Sequence, residues 1–263
     1  MKNIDLLTWL KINFKATNFL IAVNLLLFLI TFLLSSIDSF AYILMGAQVL
    51  PGTIYPFSEY ILEPWRFVTS AFLHGGIMHL LLNMYALFSL GHVIEEYYGG
   101  KKVFLIYIFT AIGGSILSFL GSFIGFWQNN SMANGLFISV GASGAIFGLV
   151  GLLLGYKFFK KKTYAPQIDI DERSLLFFVA FNLLFGFGVN ALPVQVYINN
   201  WAHLGGLISG ILLGAVLNTK DDFSTKKRMS VFEAILFYGS VVIFILSFIL
   251  NIISGLNLFF NFF

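Results

Sequence analysis

Ser143 and His203 each stand at the start of a long apolar stretch of this chain. Ser143 follows Gly141-Ala142, and His203 follows Trp201-Ala202. A hydroxyl beside an imidazole can act as a nucleophile with its general base, a pair that catalyses acyl transfer. The two residues therefore raise peptide-bond hydrolysis as the chemistry to test, provided that the chain brings their side chains together.

The composition is that of a membrane protein. Of the 263 residues, 59% are hydrophobic and 10% are charged, whereas soluble domains have about 25% charged residues. The mean hydropathy is +0.90. The chain has no cysteine, which excludes disulfides, a thiol nucleophile and thiolate metal ligands.

Seven apolar segments have about the length needed to cross a bilayer, roughly 20 residues each. They are residues 17–36, 77–96, 102–126, 140–158, 174–190, 201–218 and 231–253. The first is too long for a signal-peptide core, so we interpret it as a retained span. The predicted fold class is an all-α polytopic membrane protein.

Basic residues predict how these spans are oriented. Every lysine and arginine except Arg66 falls on the same side of the seven predicted spans, and the side rich in basic residues is normally cytoplasmic. This places the N-terminus in the cytoplasm and the C-terminus outside. Ser143 and His203 then lie near the outer ends of their spans, at the same depth.

The second predicted span adds two polar side chains at this depth. His79 and Asn83 are four residues apart, so they share one helix face. Taken singly, each polar residue has a structural explanation, as a small packing residue, an interhelical hydrogen bond or a satisfied histidine. Four such groups on one side at one depth are better explained by a common site.

In such a site Ser143 is the predicted nucleophile and His203 the general base. The backbone amide of Ser143 lies in the first turn of a helix, where N–H groups lack partners within the helix. Together with His79 and Asn83, it could stabilise an oxyanion. No Asp or Glu lies at this level within a span, so we expect a dyad rather than a triad.

Glycines could bring the two helices close enough for a direct hydrogen bond. The fourth span carries Gly144, Gly148, Gly151 and Gly155, and the sixth carries Gly206, Gly210 and Gly214. Small residues at spacings of three and four let helix backbones approach closely. The same ridges would also hold a bundle that has no catalytic role.

Other chemistries fit the sequence less well. The chain lacks His-Glu-x-x-His and has no aspartate within a predicted span. His74 and His79 could form a metal pair but lack an evident third ligand. We expect no metal, no cofactor and no nucleic-acid partner. A small-solute transporter is disfavoured, because acidic pairs within the spans and an inverted repeat are both missing.

In order and spacing, the residues from Trp65 to Leu217 resemble the rhomboid family of intramembrane serine proteases. The motifs that carry the resemblance are Trp65-Arg66, His74-Gly-Gly-Ile-Met-His79-Leu-Leu-Leu-Asn83, Gly141-Ala-Ser143-Gly144 and Ala202-His203-Leu-Gly-Gly206.

The resemblance implies a role for each residue of these motifs. It implies a Ser143–His203 dyad, with His79, Asn83 and the Ser143 amide around the oxyanion and Gly141 shaping the loop before the nucleophile. It also implies that Trp65 and Arg66 belong to an interfacial first loop, residues 37–76, with His74 in the polar network beneath it. Phe147 replaces a tyrosine that is frequent in the family. Its ring can still pack against His203, but the hydroxyl is missing.

The resemblance also implies the domain organisation and the substrates. We expect a cytoplasmic segment 1–16, a six-helix core 17–218, a cytoplasmic linker 219–230, and an additional transmembrane helix with its tail, 231–263. The expected partners are the lipid bilayer and single-span membrane proteins, cut near the outer end of their span after a small residue. The expected location is a bacterial plasma membrane, with the site facing outside. The alternative is a non-catalytic rhomboid-like chaperone or adaptor.

Overall fold

The computed structural model describes residues 15–38, 40–53, 57–129, 137–159, 171–192, 197–219 and 229–262. The expected cytoplasmic segment 1–16 and the expected linker 219–230 lie largely outside these ranges, as does the last residue of the tail. Most of the basic residues that predicted the orientation lie outside them too.

Seven long helices dominate the described residues, and each corresponds to one predicted span. The α-helices are α1 Ala16–Ser35, α2 Ala41–Leu44, α3 Arg66–Thr69, α4 Ile77–Tyr98, α5 Gly100–Asn129, α6 Ser143–Phe159, α7 Glu172–Asn190, α8 Asn200–Val216 and α9 Val231–Phe262. The strands β1 Gln48–Val49 and β2 Ile138–Ser139 form one short antiparallel pair, and two 3-10 turns cover Phe57–Leu62 and Ser70–Phe72. The all-α polytopic fold class is confirmed.

The two helices that begin beside Ser143 and His203 are shorter than the others. Helices α1, α4, α5, α7 and α9 are long and apolar enough to cross a membrane, whereas α6 and α8 have 17 residues each. Seventeen residues rise about 25 Å, which is less than the roughly 30 Å of a hydrocarbon core. Each of these two helices is therefore at the short end of the range for a membrane span.

Helix α6 is the centre of the bundle, and α8 packs against its backbone. Every residue of α6 from Gly144 to Tyr156 is buried. A Cβ atom added to Gly206, Gly210 or Gly214 would overlap a carbonyl of α6, namely that of Gly144, Gly148 or Leu152. The predicted glycine ridges are therefore confirmed as a close helix contact.

Helix α5 also approaches α8 through glycine, which the sequence did not reveal. A Cβ atom on Gly114 would lie 2.9 Å from the carbonyl oxygen of Ala202, and one on Gly113 would lie 3.2 Å from that of Gly205. Three helices thus meet with little side-chain volume between them, and the start of α8 is held from two sides.

The other end of the bundle is fixed by a carboxylate. Glu95 accepts hydrogen bonds from the backbone N–H groups of Ala16 and Thr17 and from the Thr17 hydroxyl. These N–H groups belong to the first turn of α1 and have no partner within that helix. Glu95 therefore caps α1 from α4 and locks these two helices together.

The first loop, residues 37–76, is folded around a buried arginine. Arg66 is 2% exposed and donates to the carbonyl oxygens of Ile43 and Ala47 at 2.7 and 3.1 Å, and to Glu63. Burial lowers the pKa of the Arg66 guanidinium, and the Glu63 carboxylate opposes this shift. An ion pair at the centre of the loop thus satisfies its turning backbone.

Candidate active site

Ser143 and His203 meet where α6 and α8 begin. The Ser143 hydroxyl oxygen lies 3.0 Å from His203 Nε2, within the range of a nucleophile–base pair. Ser143 is the first residue of α6, and His203 lies in the first turn of α8. The glycine contact between these helices makes the distance possible, because neither side chain is long.

The imidazole of His203 is enclosed. The residue is 7% exposed, and Nδ1 has no hydrogen-bond partner among the described residues. If the Ser143 hydroxyl donates a hydrogen bond to Nε2, the neutral imidazole carries its single N–H proton on Nδ1. Within the described part of the chain, no carboxylate therefore holds the imidazole of His203.

Phe147 takes over part of this orientation. Its ring is stacked on the His203 imidazole, with centroids 4.3 Å apart and planes 3° from parallel. Phe178 of α7 packs against Phe147, with centroids 5.6 Å apart. The imidazole plane is thus fixed by packing, and the phenylalanine supplies the flat surface although it lacks a hydroxyl.

The loop before the nucleophile is held against α4. Gly141 has a φ of +136°, which side chains rarely adopt, and a Cβ atom there would lie 2.7 Å from Cε1 of His79. Its N–H donates to the carbonyl oxygen of Ser70 at 3.0 Å. Gly141 is therefore required both by its backbone conformation and by the ring that it faces.

Three candidate oxyanion donors come from α4 and from the start of α6. His79 lies against Gly141, two residues before Ser143. Asn83 is 7% exposed and donates one amide N–H to the carbonyl oxygen of His79 at 2.9 Å. A side-chain amide has two N–H groups, so the second remains for another acceptor. The third donor is the N–H of Ser143, at the free start of α6.

His74 lies beneath this group and is fully buried. Its ring makes an edge contact with that of His79, with centroids 5.0 Å apart, and neither ring nitrogen has a hydrogen-bond partner in the described residues. Burial, reinforced by His79, lowers the pKa of His74 to about 3, so the ring is neutral. Its backbone carbonyl, rather than its ring, joins a hydrogen bond, accepting from the Tyr42 hydroxyl at 3.1 Å. The described ranges contain no group of three residues suited to a metal ion.

Trp65 and Arg66 contribute to the first loop rather than to the dyad. Arg66 bonds to the loop backbone as described above, and the indole nitrogen of Trp65 is buried without a partner among the described residues. The sequence motif that contains them thus organises the loop whose Ser70 carbonyl holds Gly141.

The sequence reasoning missed Asn199, which fixes the start of α8. Its side-chain oxygen accepts from the N–H of Ala202 at 3.1 Å, and its amide donates to the hydroxyls of Ser118 at 2.6 Å and Ser139 at 3.1 Å. An asparagine before an apolar run is a typical helix cap. This capping signal is present in the sequence, but no sequence signal indicates the hydrogen bonds from Asn199 to Ser118 of α5 and Ser139 of β2.

Comparison with known proteins identifies a family whose members this chain resembles in sequence. Residues 62–220 match the family model described as "Rhomboid domain". The chain is 35% identical to "RHOMBOID-like protein 4" of Arabidopsis thaliana over 74% of its own length and 47% of that protein. It is 36% identical to "Rhomboid protease GluP" of Bacillus subtilis over 64% of its own length and 29% of that protein. A third relative, "RHOMBOID-like protein 2" of Arabidopsis thaliana, is 35% identical over 70% of this chain and 55% of that protein. The chain thus spans about half the length of the two plant relatives.

Proposed function

This chain belongs to the rhomboid family, and from that premise we propose that it is an intramembrane serine endopeptidase with a Ser143–His203 dyad. The observation that carries the proposal is the 3.0 Å hydrogen bond between the serine hydroxyl and His203 Nε2, at the start of two glycine-packed helices. The Bacillus subtilis relative is itself named a rhomboid protease, which supports the proposal.

The reaction follows from the positions of these groups. His203 Nε2 takes the proton of the Ser143 hydroxyl as its oxygen attacks the scissile carbonyl carbon. His203 then gives that proton to the leaving amine, and the acyl chain stays on Ser143 as an ester. The same imidazole then deprotonates a water molecule, whose oxygen attacks the ester carbon. The bond from that carbon to the Ser143 oxygen breaks, the imidazole returns the proton to this oxygen, and the second product leaves as a carboxylic acid. Phe147 keeps the ring in one plane through these proton transfers.

The oxyanion of each tetrahedral intermediate is assigned to the Ser143 N–H with His79 and Asn83. Gly141, two residues before Ser143, lies against the His79 ring, so the proposed donors come from both α4 and α6. Removing one such donor typically lowers the rate about 10²–10³-fold. The role of His79 rests on its contact with Gly141, and that of Asn83 on its hydrogen bond to the carbonyl oxygen of His79.

The substrates we propose are single-span membrane proteins, cut near the outer end of their span after a small residue. A peptide carbonyl within a helix is engaged in a backbone hydrogen bond, so the substrate must unwind to reach Ser143. Glycine, proline or polar residues at this point lower the cost of unwinding. The short α6 helix supports this proposal, because its length allows Ser143 to lie below the surface.

The protein is a multi-pass integral membrane protein. The charge pattern supports a site that faces away from the cytoplasm. The expected bacterial plasma membrane stays a prediction, since the three relatives named above include proteins from both a bacterium and a plant.

The decisive experiment compares cleavage of a model single-span substrate by purified wild-type protein, Ser143→Ala and His203→Ala in proteoliposomes. We expect both variants to lose at least about 10³-fold in kcat/KM, because the two groups act as a unit. The matched control is Ser35→Ala, since that hydroxyl is exposed and bonds only to its own helix. Full cleavage by Ser143→Ala would overturn the proposal.

A serine-directed fluorophosphonate distinguishes the alternative function. The protease should be labelled at Ser143, with labelling lost in His203→Ala. If the protein is instead a non-catalytic chaperone or adaptor, the wild-type protein should not be labelled and should not cleave the substrate. It should still bind a defined membrane-protein partner.

A further inference from the structure

Helix α9 lies beyond residues 62–220, the part of the chain that matches the family model, and it carries an unusual polar face. Five polar residues spaced by seven, seven, four and three positions share one side of this helix, and each is at most 8% exposed. They are Glu233, Ser240, Ser247, Asn251 and Ser254. The opposite side is exposed and apolar, including Ile245 and Ile249. The rotation of α9 about its axis is therefore fixed by buried contacts.

The end of this face nearest the candidate site bonds to the first loop. Asn251 donates its amide to the carbonyl oxygen of Leu44 at 3.0 Å, and the Ser254 hydroxyl donates to Glu63 at 2.7 Å. A Cβ atom on Gly46 would lie 2.6 Å from the side-chain oxygen of Asn251. The helix thus touches both the backbone of the loop and the ion pair at its centre.

Aromatic rings extend the same contact. Phe72, the last residue of the second 3-10 turn, is fully buried, and its ring packs against Phe244 and Phe248 with centroids 5.4 and 5.7 Å away. Phe72 is two residues from Ser70, whose carbonyl oxygen holds the N–H of Gly141. The contact with α9 therefore ends close to the loop that presents the nucleophile.

The first loop connects α9 to that nucleophile loop by two routes. One runs from Phe72 through Ser70 to Gly141. The other runs from Glu63 through Arg66 to the carbonyl oxygen of Ala47, next to β1. Strand β1 pairs with β2, which ends two residues before Gly141. Both routes consist of hydrogen bonds and ring contacts between groups that are buried or half-buried.

We propose that α9 is a brace that positions the nucleophile loop through the first loop, with Asn251 and Ser254 as its positioning residues. Its effect on catalysis rests on the proposed protease function, whereas its hold on the first loop does not. Neither residue has a part in the chemistry, so their loss changes how the loop is held and leaves the dyad itself intact.

Hydrogen–deuterium exchange tests whether α9 holds the first loop, and it does not require the protein to be an active enzyme. In a Ser143→Ala background, we compare Asn251→Ala, Ser254→Ala and the double variant. Each lost bond should speed exchange of the loop amides at residues 43–50 by about fivefold, the value of one net hydrogen bond. The double variant should reach about 25-fold if the two bonds act independently. Ser240→Ala is the matched control, because this buried hydroxyl of α9 bonds only to the Phe237 carbonyl of its own helix.

Kinetics test the positioning role. Rates are expressed per site titrated with the fluorophosphonate, so that unfolded protein does not count. We expect kcat to fall about fivefold in each single variant, with KM within about twofold, as for an interaction that acts on the transition state. The pH profile should match that of the wild type, and Ser254→Thr, which keeps the hydroxyl, should restore kcat.

The possible outcomes separate the two proposals. Loop exchange equal to that of Ser240→Ala overturns the brace. Faster exchange with unchanged kcat per titrated site overturns the positioning role. Wild-type protein that shows no Ser143-dependent cleavage overturns the proposed function, and the exchange measurement then decides by itself whether α9 holds the loop.

Discussion

The contact between α6 and α8 is made by backbone atoms, whereas the contact between α9 and the first loop is made by side chains. At Gly206 and Gly210 no atom can be added without overlap with a carbonyl of α6. Between α9 and the loop, two hydrogen bonds and a group of phenylalanine rings share the task. The first contact sets the distance between Ser143 and His203, and the second joins α9 to the first loop.

This difference teaches how each contact should fail. Backbone surfaces pressed together cannot adapt, so one added methyl group separates the helices. A side-chain contact loses its parts one at a time, and each part contributes only a modest free energy. Substitutions in the two regions should therefore have effects on stability and activity that differ in size and in kind.

The largest effect is expected for Gly210→Val in α8. The new side chain would overlap the Gly148 carbonyl, so the helices must separate. A misplacement of about 1 Å can cost about 10²-fold in rate, and overpacking against backbone should remove more than about 3 kcal/mol of stability. Cleavage rate per folded protein and unfolding by SDS titration measure the two effects.

The control for Gly210→Val is a glycine of α9. A Cβ atom on Gly239 of α9 meets nothing within 4 Å, so Gly239→Val should change stability by no more than about 0.5 kcal/mol. Near-normal cleavage by Gly210→Val would show that the glycine contact does not set the distance between Ser143 and His203.

Much of the first region could be predicted from the sequence because its signals are local and periodic. Glycines at spacings of three and four predicted the close contact of α6 and α8. The position of Phe147, four residues after Ser143, predicted a ring on the same helix face as Ser143. Both signals act within a few turns of one helix, so they do not depend on knowing the partner.

The second region could not be predicted, for a physical reason. Ser254 bonds to a residue 191 positions away, and Asn251 to one 207 positions away. The polar face of α9 is visible in the sequence, but nothing local tells which buried surface it meets. The same limit applied to Asn199, whose capping role has a local signal although its bonds to Ser118 and Ser139 have none.

The next largest effect is expected at the far end of α9. Lys102 and Glu233, 5% and 1% exposed, form an ion pair at 2.6 Å, and Glu233 also accepts from the N–H of Asn218 and of Ser230. Lys102→Met leaves the carboxylate buried without its partner, which should cost about 3 kcal/mol. SDS titration of the purified variant measures this loss.

The double variant Lys102→Met/Glu233→Gln is the matched control for this pair. It removes both charges while the glutamine oxygen can still accept from the backbone, so it should recover a large part of the lost stability. Equal losses in the single and double variants would mean that packing, rather than charge, anchors this end of α9.

The smallest effect is expected for Phe248→Leu, which removes one ring from the group around Phe72. A leucine keeps most of the apolar volume, so the loss should be about 1 kcal/mol, the value of one ring contact and a small packing defect. Phe232→Leu is the control on the same helix, since that ring is 56% exposed. If Phe248→Leu instead cost more than about 3 kcal/mol, as expected for Gly210→Val, the α9 contact would tolerate substitution no better than the glycine contact, and the distinction between the two regions would be wrong.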